Sequence, residues 1–245
     1  MIQKPFDQQT AIITGAGQGI GFEIARQLCA NGASVILNDV DDSLANDATN
    51  KIIKEDGICY AMPGDAANVS FIQSMVHTAV EKFGSLNIII ANAGIGTIGP
   101  VENSNPDDWR AMMEVNYLGT AHTIKAALKP MLAQGRGDII AIASSAGMIG
   151  YPDWSGYCAS KWAVMGFMDC LGREMVSRGI RVATVCPGSI DTPFWDDLNV
   201  DLHPKGTRQA MMSSDDVAEA VMLQLRLPPG VLLKNTFMFP TNEWH

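Results

Sequence analysis

A chain of 245 residues, 47% hydrophobic and 18% charged, has the composition of a globular protein and the length for one large α/β domain or two small ones. Its 17 basic and 26 acidic residues leave a formal charge of −9, with Lys and Arg scattered. That balance argues against a nucleic-acid-binding footprint and against attraction to an anionic membrane. No apolar run approaches bilayer-spanning length, and the opening MIQKPFDQQT carries no signal-peptide core, so a soluble, cytoplasmic protein is expected.

In chain order, TAIITG reads as a first strand and GFEIARQLCANG as the helix after it. ASVILND and GICYAMPGD read as the next two strands, and SFIQSMVHTAVEKFG as a helix. LNIIIANAG is a fourth strand, followed by the long helical stretch DDWRAMMEVNYLGTAHTIKAALKPMLAQG. DIIAIASS, IRVATVCPG and VLLKNTFMF complete a set of about seven strands. Most of these runs are continuously apolar, the mark of strands covered on both faces. Strand–helix alternation predicts an α/β fold, a doubly wound (Rossmann) parallel sheet with helices on both faces, and a single domain over 1–245. Only PGSIDTPFWDDLNVDLHPKGTRQ lacks periodicity, and a substrate loop or lid is expected at about 190–212. Five dispersed Cys form no C-x-x-C and read as reduced core residues; no metal site is expected. The four His are equally scattered, and spacing alone leaves a His-dependent nucleophilic triad open.

Ligands of such sheets bind outside the carboxyl ends of the strands, where Gly15, Asp39, Asp65, Asn92, Ser144 and Pro187 all fall. TGAGQGIG places Gly15, Gly19 and Gly21 in a T-G-x-x-x-G-x-G pattern between a strand and a helix. Glycines there let the backbone approach a pyrophosphate and aim helix N-terminal N–H groups at it. A glycine-rich turn without a ligand is the alternative. Asp39, 18 residues beyond Gly21, stands where a carboxylate accepts hydrogen bonds from an adenosine ribose and repels a 2′-phosphate. No Lys or Arg stands in the glycine loop, where Gln18 precedes Gly19, so NAD is expected over NADP. Alternatively Asp39 caps the next helix, although Asp41 and Asp42 are also available for that.

WSGYCASKWAV sets Tyr157 and Lys161 four apart, on one face of a helix. They are either an ordinary amphipathic pair or a proton donor and the cation that tunes it. The glycine loop, NAG after the fourth strand, Asn in the long helix, Ser, and then Y-x-x-x-K together resemble the short-chain dehydrogenase/reductase family from about residue 8 to 240. The resemblance implies Tyr157 as catalytic acid/base, Lys161 as its activator, Ser144 as donor to the substrate oxygen, and Asn116 as proton-relay support. It implies cofactor contacts from Gly15, Gln18, Gly19, Ile20, Gly21, Asp39 and Val40. Asp65 and Ala66 would flank the adenine, and Asn92, Ala93 and Gly94 would sit beside the cofactor. Pro187, Gly188, Ile190 and Thr192 would hold the nicotinamide end, with Tyr157 and Lys161 also in contact. A nearby ammonium, with the positive charge of oxidised nicotinamide, would lower the Tyr157 pKa from near 10.

Two features depart from the family pattern or need a choice. Ala91 stands where the family often has a second Asn, a change of local packing. Ser144 and Ser145 are adjacent, and Ser144 is taken because it lies three residues before Gly147 and 13 before Tyr157. Met148, Ile149, Tyr151, Trp154, Phe194, Trp195 and Leu198 are expected to make a largely apolar substrate pocket for an alcohol or ketone, with Arg208 or His203 near its edge. The C-terminal stretch lacks the T-G-…-D-G-G ending of ketoacyl-carrier-protein reductases and resembles the branch acting on 3-hydroxy acids and other small hydroxy compounds. The family also implies a homodimer or homotetramer. A catalytically inactive NAD-binding sensor or scaffold, and an oxoacyl-thioester reductase, are the competing readings; the Y-x-x-x-K spacing argues against enoyl reductases.

Overall fold

The computed structural model describes residues 4–196, 198 and 211–242. Seven parallel strands form one sheet in the order β3-β2-β1-β4-β5-β6-β7. In chain order they are β1 (Thr10–Ile13), β2 (Ser34–Leu37), β3 (Ile58–Ala61), β4 (Ile88–Ala91), β5 (Gly137–Ile142), β6 (Ile180–Pro187) and β7 (Asn235–Met238). The helices are α1 (Gly19–Ala30), α2 (Asp42–Lys54), α3 (Val69–Phe83), α4 (Pro106–Met112), α5 (Thr120–Gln134), α6 (Ser155–Met175) and α7 (Ser214–Arg226).

Successive strand residues point to opposite faces, and each face has its own core. Ile13, Ile88 and Ile140 pack with Ile24, Ile52 and Val221 of α1, α2 and α7. Ile12, Ile89 and Ile139 pack with Met75, Ile124 and Val164 of α3, α5 and α6. Central strands are therefore largely apolar, as expected, with exceptions that include Thr10, Thr184 and the paired Asp138 and Arg181. The edges are not: β3 and β7 alternate between more and less exposed positions, with Ile58, Tyr60 and Phe237 reaching solvent. Each edge strand is bonded on one side only in this sheet.

Two local details position the site. The single long helix expected over the stretch beginning at Asp107 is three pieces: α4, a π-helical turn at Met113–Gly119, and α5. Asp41, not Asp39, caps α2, accepting from the N–H groups of Ser43 and Leu44. Of the five cysteines, Cys29, Cys59, Cys158 and Cys186 are buried as expected, while Cys170 is exposed. Among the described residues no helix is long and apolar enough to cross a membrane.

Candidate active site

The chain reverses direction of winding between β1 and β4, neighbours in the sheet that are not neighbours in sequence. The loops leaving these strands diverge there and open a crevice. Thr14 bridges it: its hydroxyl accepts from the N–H groups of Asn92 and Ala93 at 3.1 and 3.2 Å. The Asn92 amide answers by donating to the carbonyls of Thr14 and Gly15 at 2.9 and 2.7 Å. Thr14, read at first only as part of the glycine motif, thus fastens the two lips together.

The glycine loop has the geometry its composition suggests. Gly15 sits at φ +60°, and a Cβ there would lie 2.8 Å from the Ala93 backbone. A Cβ on Gly21 would meet the Gly15 carbonyl at 2.5 Å, so α1 enters closer to the loop than any side chain permits. The first turn of α1 has no side-chain cap and no acidic residue, leaving its N–H groups directed at the crevice. One Asp39 carboxylate oxygen accepts from Gly17 N–H at 2.9 Å and the other from Asp41 N–H at 3.1 Å. Each oxygen retains a second acceptor site.

A cavity of about 870 Å³ runs along the strand ends. Gly15, Gln18, Gly19, Ile20, Asp39, Val40, Asp65, Ala66, Asn92, Ala93 and Gly94 line one half; Ser144, Tyr157, Lys161, Pro187, Gly188, Ile190 and Thr192 line the other. Gly21 lies beneath the loop rather than in the lining. Tyr151, Trp154, Phe194 and Trp195 reach the cavity, but Met148 and Ile149 do not line it. Met148 is 52% exposed. The tight turn Ser145–Gly147 packs Gly147 against Met165 and the Lys161 carbonyl and leaves the next two side chains at the surface. The irregular segment is fastened at its base by a bridge between Ile190 and Met212. The greater part of the expected lid, with His203 and Arg208, lies outside the described residues.

The structure separates the two adjacent serines by their partners. The Ser144 hydroxyl accepts from Ala146 N–H at 3.1 Å and acts on the Tyr157 phenol, drawing its pKa down, whereas the buried Ser145 hydroxyl pairs with Tyr151 OH at 3.0 Å. Asn116, 1% exposed, does not reach the cavity. Its Oδ1 accepts from Ile95 N–H at 2.8 Å, and its Nδ2 donates to Ile95 O and to Ser160 Oγ, both at 2.9 Å. Ser160 in turn donates to the Tyr157 carbonyl at 2.7 Å. The amide is therefore committed to holding Ile95 and α6 in place, and any support it gives a relay does not run through free donors on this side chain. Ser160 went unremarked in the sequence, where it reads only as a small residue inside the Y-x-x-x-K motif.

In the chain without a cofactor, burial pushes the Tyr157 phenol up to about 12, with Ser144 pulling the other way and Cys158 adding to the rise; the expected lowering belongs to the state with an oxidised nicotinamide beside it. Burial also draws Lys161 down to about 8, opposed by Cys186. The ammonium donates to the Ile142 carbonyl at 3.2 Å and lies 5.6 Å from the centroid of the Tyr157 ring.

A crevice at the switch point, floored by a glycine turn and an unblocked helix N-terminus, is the ligand position of doubly wound α/β proteins. Residues 9–203 match the family described as short chain dehydrogenase, and the chain belongs to that family of oxidoreductases, whose members use NAD or NADP. It is 36% identical to a 3-oxoacyl-[acyl-carrier-protein] reductase of Synechocystis sp. over 194 residues, 79% of this chain and 78% of that one. It is 33% identical to a cyclohexanol dehydrogenase of Acinetobacter sp. over 230 residues, 92% and 90% of the two chains. An alcohol dehydrogenase from Thermococcus sibiricus, solved with 5-hydroxy-NADP, superposes with a TM-score of 0.87 at 26% identity, covering 97% and 98% of the chains.

Proposed function

We propose that this chain is an NAD-dependent oxidoreductase that interconverts a secondary alcohol and its ketone, with Ser144, Tyr157 and Lys161 at the reacting atoms and Asn116 positioning them. The observation that carries this reading is that the three side chains share one cavity with the glycine loop and Asp39. A dinucleotide fits that cavity: the cradle at Gly15 and Gly21 excludes side chains, and Asp39 offers acceptors at the adenosine end. Both halves belong to one sheet, which supports reading the chain as one domain.

Bound in its oxidised form, NAD would supply a hydride acceptor and a positive charge to the site that holds Tyr157. Ser144 holds the substrate oxygen by a hydrogen bond. Tyr157, as phenolate, removes the alcohol proton, and in reduction the phenol returns it. Because burial holds the phenol near 12 in the chain alone, Tyr157 would be poised as a base only when the cofactor's charge adds to that of a protonated Lys161. Proton abstraction is thereby tied to cofactor occupancy. The 36% identity to an oxoacyl reductase keeps that class as the second reading. A screen of secondary alcohols and acyl thioesters with NAD and NADP discriminates the two.

Tyr157→Phe removes only the ionisable oxygen. The fold and NAD affinity are expected to survive while kcat falls by about 10²–10⁴ or more. Near-normal oxidation of any good substrate by this variant would overturn the mechanism.

A further inference from the structure

Four rings close a circuit beside the reacting phenol, and the inference drawn from them rests on the dehydrogenase reading above. Centroids lie 5.4 Å apart for Trp154–Tyr157, 5.9 Å for Tyr157–Phe194, 6.0 Å for Phe194–Trp195 and 5.8 Å for Trp154–Trp195. Tyr157 is itself a member of this wall. The segment carrying Phe194 and Trp195 is fixed from behind, since Trp195 Nε1 donates to the Ile190 carbonyl at 2.8 Å. Phe194 presses on the β4 loop, its ring edge 2.7 Å from where a Cβ on Gly96 would stand.

Aromatic faces present the negative lobe of their quadrupole, so they favour apolar groups and cations and repel an anion laid against them. Among the described residues lining the cavity, Lys161 is the one cation, and its buried ammonium is already bonded to Ile142 O and committed to Tyr157. The lining carboxylates, Asp39, Asp41 and Asp65, sit at the adenosine end. Among the described residues, a carboxylate brought to Tyr157 would therefore leave water for aromatic faces with no side-chain counter-charge that is not already bonded, and the charge of an oxidised nicotinamide would be shared with the reacting oxygen.

We propose that the substrate is uncharged: a neutral secondary alcohol, or the matching ketone, whose apolar flank lies on the wall of Trp154, Phe194 and Trp195, with hydroxy acids and other carboxylates rejected. In oxidation the carbinol C–H leaves as hydride to the dinucleotide and the hydroxyl proton passes to Tyr157, leaving the ketone. This sets aside the hydroxy-acid branch that the C-terminal sequence resembles. The same wall explains why Phe194 and Trp195 cluster in a segment otherwise rich in Asp.

The test uses the full chain with NAD and a pair that differs in charge and in one ester methyl, 3-hydroxybutanoate and its methyl ester, with cyclohexanol as a second neutral probe. The kcat/KM for the better neutral probe is expected to exceed that for the free acid by at least about a hundredfold. Turnover of the acid equal to or better than that of both neutral probes overturns the proposal and leaves the dehydrogenase reading standing, and a preference below tenfold also counts against it. No turnover of these three or of a wider panel of secondary alcohols, with NAD or NADP, overturns the dehydrogenase reading and this proposal with it.

Discussion

Replacing Lys161 by Met is expected to make the cofactor-free protein more stable, and to do so in a pH-dependent way. The ammonium has an ordinary value of 10.5 and burial lowers it to about 8. At 1.36 kcal/mol per tenfold change in proton affinity, that difference sets a ceiling of roughly 3 kcal/mol on the penalty for burying the charge. The hydrogen bond to Ile142 O at 3.2 Å offsets roughly 1 kcal/mol of it, so the variant should gain about 1–3 kcal/mol at pH 7. Between pH 8 and 10.5 the unfolded chain still binds a proton that the folded chain has released, so wild-type stability rises with pH across that window. Its contribution from this group is complete above the unfolded value and is lost as the pH falls through about 8. The variant has no such term, and the two proteins should converge above about pH 10. Urea unfolding of both proteins at half-unit steps from pH 6.5 to 10, read as the difference between them, isolates Lys161 from the other groups titrating there. A variant that is equally or less stable at pH 7, with a difference that does not change with pH, would refute the claim that this ammonium is held at a cost.

Other perturbations address the cofactor and the scaffold behind the phenol. Asp39 repels a 2′-phosphate by roughly 4 kcal/mol per charge at 4 Å and an effective dielectric of 20, so kcat/KM should favour NAD over NADP by at least about a hundredfold. Asp39→Ser should shrink that ratio chiefly by weakening NAD; equal use of both cofactors by the wild type would sink the role given to Asp39. Ser160→Ala leaves an Asn116 N–H unpaired in a fully buried place, at roughly 1–3 kcal/mol of stability by urea unfolding. It also removes the Ser160 bond to the Tyr157 carbonyl, so kcat should fall with little change in the KM for NAD; unchanged kcat would show that this bond does not position the phenol.

Much of this architecture was legible because it depends on local chemistry. Continuous apolar runs such as IIIA at β4 had to be strands buried on both faces, and glycines between a strand and a helix had to form a tight turn. The sequence also offered Asp41 as an alternative cap for α2, and the structure uses it, leaving one Asp39 oxygen bonded to Gly17 N–H in the glycine loop and the other to Asp41 N–H. The pocket was less legible. Met148 and Tyr151 are equally plausible pocket residues in the sequence, and only the turn at Ser145–Gly147 decides that one is exposed while the other pairs with Ser145. The opposing effect on Tyr157 was hidden for a related reason: spacing reveals a neighbouring charge but not the depth of burial that pushes the phenol up in the chain alone.

Asn116 shows where periodicity stops informing. In a helical run an Asn is a weak helix former that reads as a solvent-facing position, yet this one is buried and bonded to Ile95, 21 residues earlier, through both its oxygen and its nitrogen. Meeting the N–H and C=O of one residue fixes where the amide must sit relative to the β4 loop. The π-helical turn at Met113–Gly119 widens the helix around it there, and such turns recur at functional sites. The second Nδ2 hydrogen then reaches Ser160, which grips the Tyr157 carbonyl. The β4 loop beside the cofactor crevice and the helix bearing the phenol are thus joined through a single side chain. A shift of that loop is transmitted to Tyr157 by hydrogen bonds rather than by soft packing. That coupling depends on contacts between segments far apart in the chain, and no window of sequence short enough to show helical period contains both partners.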